Sequence, residues 1–276
     1  MQKSESPGRR LARYLPVLVI VTIAAILYGV YVVFHCLPML QLDIPPEFRD
    51  DWARNQGIIR LVVSHLVSAV LFWSFYNTYA TNPGEVPDTE EWKSRPNRDR
   101  IRERKRDGSL RYCTKCSHYK PDRSHHSRNT ERCVLKMDHY CPWVANDVGH
   151  FNYKFFYLTL LYGTIDLVYI AATIVPTVGV AVSDPNIPFE QVYFIFLGAA
   201  LSIFVLAIVT PFWVFHTWLI TRNATTIEYC EKRHIIDTIF ERSPASSTCT
   251  QGENVATWLL PVGGPTGNGL TFQHGL

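Results

Sequence analysis

The segment Asp138–Cys141 carries an acid, a base and a thiol within four residues. An unperturbed cysteine is only a few per cent thiolate at neutral pH, and a neighbouring imidazole either takes its proton or stabilises the anion as imidazolium. His139 is the candidate base, and Asp138 is placed to orient it, as the acid does in a nucleophile–base–acid triad. The alternative is a buried, inert cysteine, which the adjacent acid and base argue against. We therefore interpret Cys141 as a nucleophile.

A group of possible metal ligands lies upstream of that thiol, in a stretch too polar to build its own core. Cys113 and Cys116 form a CxxC pair, and His126 and Cys133 complete a set of three sulfurs and one imidazole. Zn²⁺ prefers such ligands and closes its structural sites with four of them. His125 competes with His126 for the ligand role, and spacing alone does not choose between them. The set predicts a structural zinc site, whose ligation energy would help the segment to fold.

Long apolar segments flank both groups. The chain is 47% hydrophobic with a net charge of +3, and its charges are strongly segregated along the sequence. Four uncharged or nearly uncharged stretches each exceed the ~20 apolar residues that cross a bilayer core. The sequence therefore predicts an all-α integral membrane protein with a cysteine-rich, zinc-binding catalytic domain at 80–154, between the second and third spans. The four transmembrane helices are expected at 15–37, 57–79, 155–182 and 192–220.

The distribution of basic residues sets the expected orientation, because Lys and Arg favour the cytosolic side. They are concentrated before the first span, in Lys93–Lys136 and after the fourth span, whereas the connection between spans three and four carries only Asp184 and Glu190. We therefore predict cytosolic tails at 1–14 and 221–276, a cytosolic 80–154 domain and lumenal loops at 38–56 and 183–191. Thiols on the cytosolic side stay reduced, which favours metal binding or catalysis over disulfides. The Gly- and Pro-rich C-terminal end is predicted to be poorly ordered.

A thiolate at the mouth of four apolar helices is suited to exchanging one thioester for another. The helices could hold a long acyl chain, while a coenzyme A headgroup stays in water. Arg111, Lys120 and Arg123 could attract that headgroup, and Trp143, directly behind the thiol, completes the expected contacts. The alternative for each charge is a solvated surface that faces lipid headgroups.

Taken together, these residues resemble the DHHC protein S-acyltransferases, the palmitoyltransferases. The resemblance covers the span layout and most of 80–228, and Tyr140, at the third motif position, resembles a DHYC subgroup known mainly from fungi. At 82–84, NPG replaces the family's DPG. The other motifs that carry the resemblance are KPDRSHH at 120–126, DHYCPW at 138–143, NDVGHFN at 146–152 and TTIE at 225–228.

The resemblance implies a two-step protein-cysteine S-palmitoyltransferase. Cys141 would take the acyl group from palmitoyl-CoA or a similar long-chain acyl-CoA and pass it to cytosolic juxtamembrane cysteines of membrane-associated proteins. Thr225, Thr226 and Glu228 are expected to brace the loop, through Asp138. The implied partners are acyl-CoA, substrate proteins and the bilayer, with no nucleic acid, and the implied location is a eukaryotic endomembrane or the plasma membrane.

The family pattern carries two zinc sites, of which this chain matches one. The resemblance maps the first to Cys113, Cys116, His126 and Cys133. The second would fall on four positions that no longer offer the expected Cys and His ligands, and we therefore predict one zinc. We expect a Tyr140–Asp147 contact, aided by packing, to replace the missing metal. The four altered positions are Ser127, Thr130, Tyr140 and Asp147.

Two other function classes remain open at this point. A catalytically weak, zinc-bearing membrane adaptor of the same fold would explain the lost metal site, but the intact Asp138, His139 and Cys141 argue against it. A small transporter or channel would need a polar pathway within the membrane, and Asp166 alone is thin support. For Asp166 we favour structural pairing over substrate contact, with Tyr28, Tyr31 or His65 as candidate partners.

Overall fold

The computed structural model describes residues 7–94, 101–231, 255–265 and 267–272. Much of the two predicted tails, at 1–6 and 232–254, therefore lies outside the described residues. Among those described, four helices are long and apolar enough to cross a membrane. The predicted fold class is thereby confirmed. The four are α1 (Pro7–Val30), α2 (Asp51–Ala80), α3 (Tyr153–Ser183) and α4 (Phe189–Thr221).

The ends of these helices follow from local sequence. After α1 the helix continues through one π-helical stretch, Tyr31–Cys36, and the short helix Leu37–Met39. α2 ends just before Pro83, which cannot continue a helix, and Gly84 then adopts a φ of 103° that a residue with a side chain rarely takes. The chain turns at this point into the cysteine-rich segment.

Three two-stranded antiparallel hairpins build the described part of the cysteine-rich segment. Short strands carry too few ladder hydrogen bonds to be stable alone, so this segment depends on other contacts. In the third hairpin, His139 pairs with Val148, Tyr140 with Asp147 and Cys141 with Asn146. The strands are β1 (Tyr112–Cys113), β2 (His118–Tyr119), β3 (His125–Ser127), β4 (Arg132–Val134), β5 (His139–Cys141) and β6 (Asn146–Val148).

The chain divides into two compact units. The first contains 1–14, 73–158 and 215–276, and the second contains 15–72 and 159–214. In the first, an apolar cluster around the cysteine-rich segment includes Val86, Trp92 and Leu135. All the residues of the predicted reactive and metal sites fall within this first unit.

The second unit is built from parts of all four long helices. Its buried cluster is formed by Tyr31, Cys36, Ile170, Ile174, Ala181, Ile195 and Ala199. Asp166 is buried here, and Ser68 Oγ donates a hydrogen bond to its Oδ2 at 2.9 Å. The expected structural pairing is present, with a serine partner that the sequence pattern did not single out.

The described part of the C-terminal segment contacts the start of α3. Lys154 Nζ donates hydrogen bonds to the carbonyls of Thr257 and Val262, at 3.3 and 2.8 Å. The Trp258 ring packs on Tyr157, with 5.3 Å between ring centroids. Backbone carbonyls accept from a buried lysine regardless of which side chains they carry, which is why composition alone did not reveal this anchoring.

Candidate active site

The hairpin β5–β6 presents Cys141 at the end of its first strand. A 3₁₀ turn, Pro142–Val144, follows the thiol, and Ala145 turns the chain back with a left-handed φ of 48°. Asn146, opposite Cys141, donates to the carbonyls of Thr78, Tyr79 and Thr81 at 3.3, 3.1 and 2.9 Å. Thr78 and Tyr79 belong to the last turn of α2, whose carbonyls have no partner within the helix, and Thr81 directly follows that turn. One amide therefore caps α2 and fixes the strand that faces the thiol.

The acid, the base and the thiol meet as the sequence predicts. His139 Nδ1 lies 2.6 Å from Asp138 Oδ2, and the His139 ring is also hydrogen bonded to the Cys141 side chain. Nδ1 is committed to the carboxylate, which leaves Nε2 for the thiol. Cys141 and Asp138 are buried, whereas the His139 side chain is 23% exposed. The arrangement can therefore move a proton between sulfur and imidazole beside a fixed negative charge.

The electrostatics of the pair favour a charged imidazole. Burial alone would lower the pKa of His139, but hydrogen bonds to Asp138 and Cys141 outweigh it and raise the pKa to about 9. Burial, the largest single influence, would raise the pKa of Asp138, but the hydrogen bond and charge of His139, together with His216 and the backbone N–H of Thr226, outweigh it, so the net pKa shift is downward. An imidazolium next to a thiol stabilises the thiolate, which is the nucleophilic form.

The short helix Thr226–Cys230 holds Asp138 from the opposite side. Thr226 donates to Asp138 through its backbone N–H at 2.9 Å and through its hydroxyl at 2.8 Å. A capping box at the start of this helix links Thr225 and Glu228 reciprocally. The expected brace of the loop through Asp138 is confirmed, and it leaves the carboxylate with one orientation.

Two of the residues expected to contact coenzyme A are instead buried in ion pairs. Arg123 is 1% exposed and donates two hydrogen bonds to the Glu228 carboxylate, at 2.6 and 2.7 Å. Arg111 is buried against Glu103. A guanidinium enclosed and neutralised in this way supports the loop, and its position does not fit contact with a water-soluble headgroup. The sequence showed the charges but not their burial.

The other two expected contacts are more accessible. Lys120 is half-buried and Trp143 is 51% exposed. Trp143 belongs to the 3₁₀ turn directly after the thiol, so a molecule that approaches Cys141 from outside would pass close to it.

The four predicted zinc ligands converge. The sulfurs of Cys113, Cys116 and Cys133 lie 3.6, 3.2 and 3.9 Å from His126 Nδ1. Around a tetrahedral zinc with ordinary bond lengths, a sulfur and a nitrogen are about 3.6 Å apart. The donor set and its spacing therefore fit one zinc ion. The structure also resolves the choice between neighbouring histidines, since His126 contributes to this group of ligands and His125, the next residue of β3, does not.

The positions at which the family resemblance would place a second zinc site include a hydrogen-bonded cluster around Asp147. Asp147 is fully buried, and its carboxylate accepts from Ser127 Oγ at 2.6 Å and from Thr130 Oγ1. Tyr140 is the backbone partner of Asp147 across the hairpin. Arg132 Nε adds a positive charge 3.7 Å from the carboxylate. The described partners of the Asp147 carboxylate are thus two hydroxyls and a guanidinium, whereas the sequence suggested a Tyr140–Asp147 contact.

A second imidazole lies beside the reactive pair, and the motif pattern did not reveal it. His216, near the end of α4, is fully buried, and its ring centroid is 5.9 Å from that of His139. Phe156 packs edge-on against both rings, at 5.1 and 4.9 Å. In the sequence, His216 is a lone histidine in an apolar helix, nine residues before Thr225. Without knowledge of its tertiary contacts, such a residue is interpreted as an ordinary buried histidine.

Comparison with known proteins agrees with this geometry. Residues 106–233 match the model of the DHHC palmitoyltransferase family. The chain is 32% identical to palmitoyltransferase ZDHHC20-A of Danio rerio, over 94% of this chain and 77% of that protein. It is 30% identical to palmitoyltransferase ZDHHC15 of Rattus norvegicus, over 96% and 83% of the two chains. It is also 30% identical to probable protein S-acyltransferase 12 of Arabidopsis thaliana, over 92% and 89%.

The chain therefore belongs to the DHHC palmitoyltransferase family and is a multi-pass membrane acyltransferase, a protein S-palmitoyltransferase. The Cys/His cluster is consistent with zinc in this domain.

Proposed function

We propose that Cys141 is the residue that carries the acyl group, with His139 as its base and Asp138 as the group that orients the base. The observation that supports this most directly is the continuous contact from Asp138 Oδ2 through the His139 ring to the Cys141 thiol. A nucleophile in reach of a base, which is itself oriented by a third group, is the arrangement expected for covalent catalysis.

The first step exchanges a thioester. The thiol proton of Cys141 moves to His139, the thiolate attacks the acyl carbonyl of acyl-CoA, and the carbon–sulfur bond to coenzyme A breaks. The departing thiolate takes the proton back from His139. The raised pKa of His139 suits its roles as acceptor of the thiol proton and as donor to the departing thiolate, because the ring holds the proton while Cys141 attacks.

The second step repeats the exchange with a protein thiol. A substrate cysteine gives its proton to His139 and attacks the thioester on Cys141, which leaves as thiolate and is protonated again. The four apolar helices favour a long acyl chain and substrate cysteines close to a membrane surface. We place this surface on the cytosolic side, because basic residues accumulate in the segments that carry the site, and we retain Lys120 and Trp143 as contacts for coenzyme A.

One zinc ion is proposed, bound by Cys113, Cys116, His126 and Cys133. It would close a tetrahedral structural site and take no part in proton transfer. The cluster around Asp147 replaces the second metal in our proposal, because all the described contacts of its carboxylate are with hydroxyls and a guanidinium rather than with metal ligands.

The test is acylation of the purified full chain with palmitoyl-CoA. We expect a hydroxylamine-sensitive acyl adduct that is absent from Cys141→Ser and that transfers to a peptide bearing a cysteine next to a membrane anchor. An adduct that persists in Cys141→Ser would contradict the assignment of the nucleophile. An intact, zinc-loaded wild-type protein that forms no adduct would favour the adaptor.

A further inference from the structure

The environment of Asp138 includes two imidazoles. One belongs to His139, which is hydrogen bonded to the carboxylate. The other belongs to His216 of α4. One carboxylate oxygen of Asp138 and one ring nitrogen of each of His139 and His216 all lie within 4.8 Å of one another. Asp138 Oδ2 and His139 Nδ1 are already joined at 2.6 Å by a hydrogen bond, so the trio is arranged for holding a proton rather than for enclosing a metal.

The orientation of His216 is fixed by its own contacts. Its Nδ1 is hydrogen bonded to Tyr153 Oη at 3.1 Å, and Tyr153 is the first residue of α3. Phe156, one turn further along α3, packs edge-on against the rings of both His139 and His216. Since Nδ1 is engaged by Tyr153, the opposite edge of the ring is available to the Asp138–His139 pair. Side chains held from several directions keep a geometry that a single contact would not.

We propose that His216 is a positioning residue of the acyl-transfer site, which acts through the Asp138–His139 pair and depends on Tyr153 for its orientation. This inference rests on the proposed role of Cys141 and extends it to α3 and α4. A polar group at position 216 faces a buried carboxylate, where an apolar group would leave that carboxylate less well solvated. His216 also occupies one side of the space in which the His139 ring could otherwise rotate.

The direction of the effect on acylation follows from the charges. Asp138 stabilises the imidazolium form of His139, and the imidazolium stabilises the thiolate of Cys141. Loss of the polar group at 216 weakens the support of Asp138, and the imidazolium of His139 then stabilises the attacking thiolate less well. The titratable and charged groups around this pair are Cys141 on the hairpin, Tyr153 on α3, His216 on α4 and the Arg123–Glu228 ion pair behind Thr225.

The experiment compares His216→Phe with His216→Gln in the full-length protein in detergent. The rate of Cys141 acylation by palmitoyl-CoA is measured across a pH series, together with zinc content and melting temperature. We expect His216→Phe to slow acylation roughly a hundredfold, as displacement of a catalytic group does, and to move the acidic limb of the rate profile to higher pH. His216→Gln keeps a polar side chain and should recover most of the rate.

Two further variants separate positioning from folding. Tyr153→Phe removes one hydroxyl, and it should shift the profile in the same direction by a smaller amount. Its effect should not add to that of His216→Phe, because both act through one contact. His65→Phe makes the same substitution at an exposed histidine of α2, in the other compact unit, and should leave the profile unchanged. If His216→Phe loses its zinc or has a lowered melting temperature, the His216→Gln and Tyr153→Phe variants still test the positioning role.

The outcomes distinguish this inference from the assignment of the nucleophile. Wild-type protein without any Cys141-dependent adduct would overturn both. Wild-type acylation with an unchanged rate and pH profile in His216→Phe would overturn the role of His216 alone. Equal slowing in His216→Phe and His216→Gln, with no shift in pH, would show that the residue only fills space.

Discussion

The cysteine-rich segment contains two regions built on similar short hairpins but held in different ways. Around β1–β4, three sulfurs and an imidazole converge at distances that fit zinc. Asp147 of β6 instead accepts hydrogen bonds from Ser127, the last residue of β3, and from Thr130, in the turn between β3 and β4. Structural zinc contributes apparent values of roughly 10–16 kcal/mol in finger peptides, whereas a hydrogen bond to a charged group contributes about 1.5–3 kcal/mol.

Cys141, the proposed nucleophile, therefore lies beside contacts that are weaker than those a bound zinc would supply. The region around Asp147 must therefore draw its stability from elsewhere in the first unit. Asn146 anchors the hairpin to the end of α2, and Thr226 anchors Asp138 to the short helix after α4. Each contact joins the hairpin to a segment distant in sequence. The geometry at Cys141 thus depends on the fold of the whole unit, whereas the zinc cluster depends on local spacing.

The largest effect is expected from loss of the metal. Cys113→Ser should remove zinc, abolish cooperative melting of the cysteine-rich segment and eliminate the acyl adduct, because ligation energy is folding energy here. Metal analysis of the wild type should give one zinc per chain. Cys230→Ser, at an exposed cysteine outside the cluster, is the matched control and should keep both zinc and adduct. Two zinc ions per chain would contradict the proposed contrast between the regions.

A smaller effect is expected at the region without metal. Asp147→Ala leaves Ser127 and Thr130 without their shared acceptor, and should lower the free energy of unfolding by about 3 kcal/mol while zinc content stays unchanged. Asp147→Asn keeps one carbonyl acceptor and should lose less. Thermal or denaturant unfolding, measured beside metal analysis, checks both. Release of zinc from Asp147→Ala would show that the two regions are not independent.

The two regions should also respond to pH in opposite directions. The pKa of His139 is raised from an unfolded value near 6.5 to about 9. Its contribution to stability is therefore fully present below the unfolded value and is lost as pH rises through about 9. The zinc site instead weakens in acid, because its ligands must be deprotonated.

Melting temperatures of wild type and His139→Gln, recorded as pH rises from about 6.5 through about 9, measure this pH-dependent loss of stability. The wild type should lose stability as pH rises, and His139→Gln should lack that loss. Parallel curves for the two proteins would contradict the assigned role of His139.

The smallest effect is expected from single hydroxyls around Asp147. Ser127→Ala should cost about 1 kcal/mol, since Thr130 still donates to the carboxylate. Thr130→Val should cost a similar amount, and the double variant should approach Asp147→Asn. Unfolding curves distinguish these values. A double variant as stable as the wild type would assign the stability of this region to packing alone.

Much of the candidate site was predictable because its members are close in sequence. Asp138, His139 and Cys141 lie within four residues, and a short strand brings the base and the thiol to one side of the hairpin, since side chains two residues apart point the same way. The CxxC pair likewise follows from one tight turn. Four apolar runs predicted the long helices directly, because lipid offers a backbone no hydrogen-bond partners.

Other features depended on contacts between distant segments. Arg123 and Arg111 appeared as charges suited to coenzyme A, yet each is enclosed with a carboxylate. His216 appeared as an isolated residue of an apolar helix. Burial and ion pairing depend on which segments pack together, and no pattern within a single helix or loop contains that information.

The sequence by itself determined the family and the four apolar helices, and it predicted the candidate triad and the candidate zinc ligands, because periodicity, composition and short spacing act locally. Only the tertiary structure decided which charges are buried, which groups donate to Asp147 and that His216 lies beside Asp138. Those outcomes arise where α3, α4, the short helix Thr226–Cys230 and the hairpins pack in one unit. There, burial makes each polar group take the partner that the fold supplies.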